Sequence, residues 1–193
     1  MPTFLKGAFF MIRPVVWQKE SGNRLFLLLF CVFGFVLGIL VFTFFKELLS
    51  SSLSPDLTSA FDSDSPFSTL ISCFATELKY SLCLYMFGFC LFANAGCFCL
   101  LAYKSALIGF SATYLLSGAY PLSYYFIHIL SSLAGLIFLC CIGALSSDFS
   151  CCRIGTSKAP KGRDIANYSV KCLFYTGAIF ICVLIRHILL NII

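Results

Sequence analysis

Charge is what this chain has least of. Only 11% of its 193 residues are Asp, Glu, Lys or Arg, and the acidic ones number eight. A soluble domain carries roughly 25% charged residues, because its surface needs them. Histidine occurs twice and tryptophan once. The chain has no HExxH, no phosphate-binding GxxxxGK, no GxSxG elbow and no CxxC pair, so the usual signatures of metalloproteases, nucleotide hydrolases, serine hydrolases and thiol-metal sites are missing. No Asp or Glu is expected in the middle of an apolar run. That argues against intramembrane proteolysis and against ion-driven transport, both of which rely on polar groups at that depth. No enzyme activity, cofactor or metal is therefore expected.

Apolar residues fill the gap. They make up 60% of the chain, Phe alone accounts for 23 positions, and the mean hydropathy is +0.98. A spanning helix needs about 20 apolar residues, and lipid leaves the backbone no solution at that length other than a helix or a closed barrel. The runs predict an all-α membrane protein in one domain, a bundle of five transmembrane helices at about 25–45, 80–103, 106–119, 122–145 and 168–188. Between them lie a polar loop at 47–77 and a basic loop at 146–167. The segment before the first span, with Trp17 among apolar and basic residues, reads as interfacial, as does the apolar second half of the long loop.

Lysine and arginine set orientation. Lys6, Arg13, Lys19 and Arg24 precede the first span, and Arg153, Lys158, Lys161 and Arg163 occupy the basic loop. Lys104 interrupts a long apolar stretch and reads as a tight cytoplasmic turn between the second and third spans. All three groups then fall on the cytoplasmic side. The N-terminus is placed inside, the C-terminus outside, and the Asp-rich loop is exported. The net charge of +5 is explained by these topology signals, and no nucleic acid partner is expected.

Twelve cysteines are present, mostly inside apolar runs, where a thiol behaves as a small hydrophobe. Cys73 alone falls in the long polar loop. Gly34 and Gly38 form a GxxxG step, and Gly88, Gly96 and Gly109 add notches suited to close helix packing. A homo-oligomer stays open. Asn94 and His128 are the intramembrane polar candidates, bonded either to a neighbouring helix or to a substrate.

The order of these features carries a resemblance. A single span is followed by a long polar loop, then Lys79, then an apolar run "LYMFG" ending at Gly88, then "KSALIGFSA" from Lys104 to Ala112. This resembles the stage II sporulation protein M family of spore-forming bacteria, most strongly over residues 78–116. It departs from the family's habit at Ser105, at Tyr85 and Met86, and in "CLFANAGC", which lacks a proline. The resemblance implies a non-enzymatic protein of the bacterial plasma membrane that anchors a cell-wall lytic transglycosylase and an amidase during engulfment. Two other functions are open from the residues alone: a permease-like transporter component paired with an ATPase, with Asn94, Tyr124 and His128 lining a path, and an assembly factor or insertase.

Overall fold

The computed structural model describes the backbone of residues 21–59, 66–117, 121–156 and 162–192, and the side chains of 26–45, 70–117, 121–152 and 162–192. The interfacial segment expected before the first span, and the side chains of 46–69, lie outside the described residues. The architecture is all α. Five helices are long and apolar enough to cross a membrane, and no strand occurs among the described residues. They are α1 (Ser21–Ser59), α2 (Pro66–Phe87), α3 (Ala93–Ser117), α4 (Leu122–Thr156) and α5 (Gly162–Ile192). The chain is a multi-pass membrane protein.

The helices are longer than the apolar runs. α1 leaves helical geometry at Phe45 (φ −113°, ψ 16°) and resumes to Ser59, so the start of the expected loop at 47–77 is helical. Its end is helical too, because α2 begins at Pro66, a residue whose fixed φ suits the first turn of a helix. The basic loop of 146–167 shrinks in the same way, with α4 running to Thr156 and α5 starting at Gly162. Backbone hydrogen bonding continues past the membrane border, where hydropathy falls.

The largest difference concerns Lys104. It does not lie in a turn. It sits near the middle of α3, and the chain reverses at residues 88–92 instead. The second and third spans are therefore α2 and α3, not 80–103 and 106–119. The turn is apolar in sequence, GFCLF, and is held by backbone geometry. Gly88, Phe89 and Cys90 each donate to the carbonyl three residues earlier, at 2.9–3.1 Å, a tightening common at helix ends. Ser150 of α4 donates to the Cys90 carbonyl at 2.6 Å.

α1 and α3 run parallel. Gly34 lies on the Ala102 backbone and Gly38 on the Ala106 backbone, and Phe30 stacks on Phe98 at 5.1 Å. In each pair the partner is the same 68 positions further along. A Cβ on Gly34 or Gly38 would overlap the carbonyl oxygen of the facing alanine, and one on Gly109 would overlap the Phe35 carbonyl. Small residues thus bring the two backbones into contact, the arrangement by which helices associate in lipid without a hydrophobic driving force. Ser105 adds a hydrogen bond to the Cys31 carbonyl at 2.5 Å.

α2 runs antiparallel to α5. Phe74 meets Phe180 edge-on at 4.6 Å, Ser81 shares a 2.5 Å hydrogen bond with Thr176, and Tyr85 shares one of 2.9 Å with Ser169. Leu84, Leu101, Leu139, Ile142 and Ile179, each under 2% exposed, form the centre where α2, α3, α4 and α5 meet. Gly143 lets Leu101 and Leu84 approach α4.

Candidate functional site

Glu77 belongs to α2, inside the candidate span Leu70–Phe87. The expectation that no carboxylate lies within a span is corrected by this residue. It was hidden because the apolar window around it is the weakest of the five, so Glu77 fell within the polar loop. Its depth follows from the α2–α5 register. It lies between the Phe74–Phe180 and Ser81–Thr176 contacts, beside the middle of α5.

Lys104 reaches the same level from α3 and donates to Glu77 Oε1 at 2.7 Å, with both side chains about 12–13% exposed. The ammonium also sits over the Tyr80 ring, 4.6 Å from its centroid, an attraction to the negative face of the ring. A lone charge at the bilayer centre is unfavourable by about 2.5–3.5 kcal/mol on insertion scales. The pair cancels its net charge and so removes most of the reason for either residue to avoid lipid.

The pair is not closed. Glu77 Oε2 is buried with no hydrogen-bond partner. Glu77 lines a small cavity of about 10 Å³ together with Ser131, Ser132, Gly135, Ile179 and Arg186 among others. That volume is about what one water needs. His128 lies nearby on α4, where the charges of Arg186 and Lys104 act on it, and its Nδ1 is likewise buried without a partner. Four of the five helices therefore converge on one polar centre: Glu77 of α2, Lys104 of α3, His128 and the two serines of α4, and Arg186 of α5. The sequence marked His128 and Lys104 but assigned them separate roles. The signal that could have joined them is the odd one of two opposite charges in apolar surroundings.

Asn94 is not deep in a span. It is the second residue of α3, at the turn, where it accepts a hydrogen bond from Ser147 and donates to Cys151 Sγ at 3.8 Å. It holds the turn to α4. Beside it, Tyr168 donates to the Tyr85 carbonyl at 2.7 Å and shares a 2.8 Å hydrogen bond with Ser146. Its ring stacks on Phe149 at 4.5 Å and on Tyr85 at 5.1 Å. Gly88 is required here, since a Cβ would overlap the Tyr168 hydroxyl, and Gly96 packs on the Phe87 ring. Tyr168 was not singled out in the sequence. Tyr168→Phe is expected to lower stability by about 1–2 kcal/mol through its two hydrogen bonds, and Tyr168→Ala by about 3–5 kcal/mol through the added cavity. Thermal unfolding in detergent measures both, and a Tyr168→Phe variant as stable as the wild type would refute a role for the hydroxyl beyond ring packing.

Among the described residues no group of three metal-ligating side chains converges, and the twelve cysteines are free thiols.

No protein-family model, curated protein or solved structure matches this chain.

Proposed function

We propose that the chain is a non-enzymatic scaffold of the bacterial plasma membrane that holds cell-wall hydrolases, a lytic transglycosylase and an amidase, at the outer face during engulfment. The observation that carries this reading is the lack of room at the polar centre among the described residues. The cavity there has space for about one water, and the polar side chains at the turn of residues 88–92 are paired locally between helices. A translocation path needs a continuous polar route instead. The specific partners come from the resemblance over residues 78–116. Orientation remains N-terminus inside and C-terminus outside. Removing Lys104 from the cytoplasmic tally leaves the basic residues of the N-terminal segment and of 153–163 on one side of five spans.

The test is an affinity pull-down of the tagged protein from detergent-solubilised native membranes, read by mass spectrometry. A lytic transglycosylase or a wall amidase is expected. An ATPase subunit without any wall enzyme would sink the scaffold.

One observation favours a second reading, a permease-like component of a transporter: the polar centre of Glu77, Lys104, His128 and Arg186 brings ionisable groups together between apolar helices, where such groups mark substrate and proton routes. In that case, purified protein in liposomes conducts a solute or protons, and Glu77→Gln changes the rate.

A further inference from the structure

Cys31 of α1 and Cys140 of α4 bring their sulfur atoms to 3.5 Å, across 109 positions of sequence. Both are held in place. The Cys31 carbonyl accepts the Ser105 hydroxyl at 2.5 Å, and the adjacent Phe30 stacks on Phe98, so α3 fixes this level of α1. Cys140 lies between Leu139 and Ile142 on α4, both wholly buried in the core. α1 and α4 approach within 8 Å between Cα atoms. A disulfide bond is about 2.04 Å long, so the two sulfurs need to close by about 1.5 Å. Each thiol can supply part of that by turning about its Cα–Cβ bond.

The two thiols differ in access. Cys31 is 6% exposed, whereas Cys140 is only partly buried. That asymmetry suits a pair in which one sulfur meets an oxidant and its neighbour resolves the product. The surroundings select the oxidant. Both thiols belong to the same apolar cluster as Leu27, Leu136 and Leu139. A charged oxidant that stays in water cannot enter such a place. A neutral one that dissolves in lipid can.

We propose that Cys31 and Cys140 are a modification site, joined into a disulfide by a lipid-soluble organic hydroperoxide. Cys140 Sγ attacks the terminal oxygen of R–O–O–H. The O–O bond breaks, the sulfur becomes Sγ–OH, and the Cys140 proton leaves with R–O as the alcohol. Cys31 Sγ then attacks the Cys140 sulfur. The Sγ–Sγ bond forms, the S–O bond breaks, and the hydroxyl leaves as water with the Cys31 proton. The hydroperoxide gains two electrons and the thiol pair loses two. A neutral dithiol reverses the change by exchange and departs as its own disulfide. α1 packs chiefly on α3, and the new bond ties it to α4 as well. The inference is independent of the scaffold reading.

The experiment treats the full-length protein, reduced with dithiothreitol and reconstituted in lipid nanodiscs, with cumene hydroperoxide. Non-reducing mass spectrometry of the wild type is expected to find a peptide linked through Cys31 and Cys140, and dithiothreitol should remove it. Oxidised glutathione, charged and confined to water, should not produce it. The oxidised protein should melt about 5–10 °C above the reduced one, because the bond closes a loop of about 109 residues. Cys140→Ala should lose that shift. Cys83→Ala, which removes an exposed thiol of α2, should keep it. No linked peptide after hydroperoxide, an equal yield with oxidised glutathione, or a melting shift that survives Cys140→Ala would overturn the proposal. The linked peptide is read on the wild type, so a variant that fails to fold does not spare the proposal from that measurement.

Discussion

Lys104→Leu is expected to destabilise the bundle by about 3–5 kcal/mol, because it leaves Glu77 charged, buried and alone. The loss is not the value of the ion pair itself. Most of it is the penalty for an unpaired, largely buried carboxylate. The double variant Lys104→Leu with Glu77→Leu should therefore regain most of the stability, since replacing both partners by hydrocarbon removes the charge and its penalty together. Thermal unfolding in detergent, run on both single variants and the double, gives the cycle. If the double variant is as unstable as the sum of the two singles, the residues do not act as a pair and the 2.7 Å contact has no energetic meaning.

The second large effect lies at the α1–α3 contact. Gly38→Val would place side-chain carbon where the Ala106 carbonyl already stands. The atoms it would meet all belong to the Ala106 backbone, so no facing side chain can move aside and the two helices must separate. Forcing extra volume into a packed contact costs about 1–3 kcal/mol when side chains can adjust, and here the loss should reach the upper end or exceed it. Gly34→Val should behave alike. Gly135→Ala and Gly177→Ala are the controls, because a Cβ at either meets nothing within 4 Å. These two should be neutral or gain up to about 1 kcal/mol from helix propensity. If Gly38→Val unfolds at the same temperature as Gly177→Ala, the parallel contact of α1 with α3 is wrong.

Much of the fold was legible because apolar length is a direct consequence of bilayer thickness. The first, fourth and fifth spans are simple in this sense: long apolar runs bounded by polar sequence. The second and third were not, and the reason is specific. Charge was read as a boundary. Lys104 and Glu77 are both charged, and each taken alone belongs outside the membrane. Only when α2 and α3 are folded against each other do the two charges meet and become tolerable inside it. Sequence periodicity cannot register a partner 27 positions away. The true turn was missed for the complementary reason. GFCLF carries no charge and no proline, and its reversal depends on Gly88 beneath the Tyr168 hydroxyl and on Ser150 reaching the Cys90 carbonyl.

The glycine notches show the same division. Gly34, Gly38 and Gly109 stood out as packing residues, but nothing in the sequence said which helix they meet. The polar centre was half legible. His128 and Lys104 were visible as polar residues in apolar surroundings, yet their convergence with Glu77 and Arg186 depends on tertiary register alone.

The pairing of Glu77 with Lys104 also bears on how the chain enters its membrane. Helices leave the ribosome in order, and α3 on its own would present a bare ammonium to the lipid at the middle of its length. α2 comes first and carries the opposite charge at the matching height. Joined by a turn of only residues 88–92, the two helices can pass from the translocation channel into lipid as one hairpin with Glu77 and Lys104 already paired. α1, whose glycine groove is filled only by α3, must wait in the bilayer until that hairpin arrives. Assembly of the bundle thus has a built-in order, with the third helix completing the first.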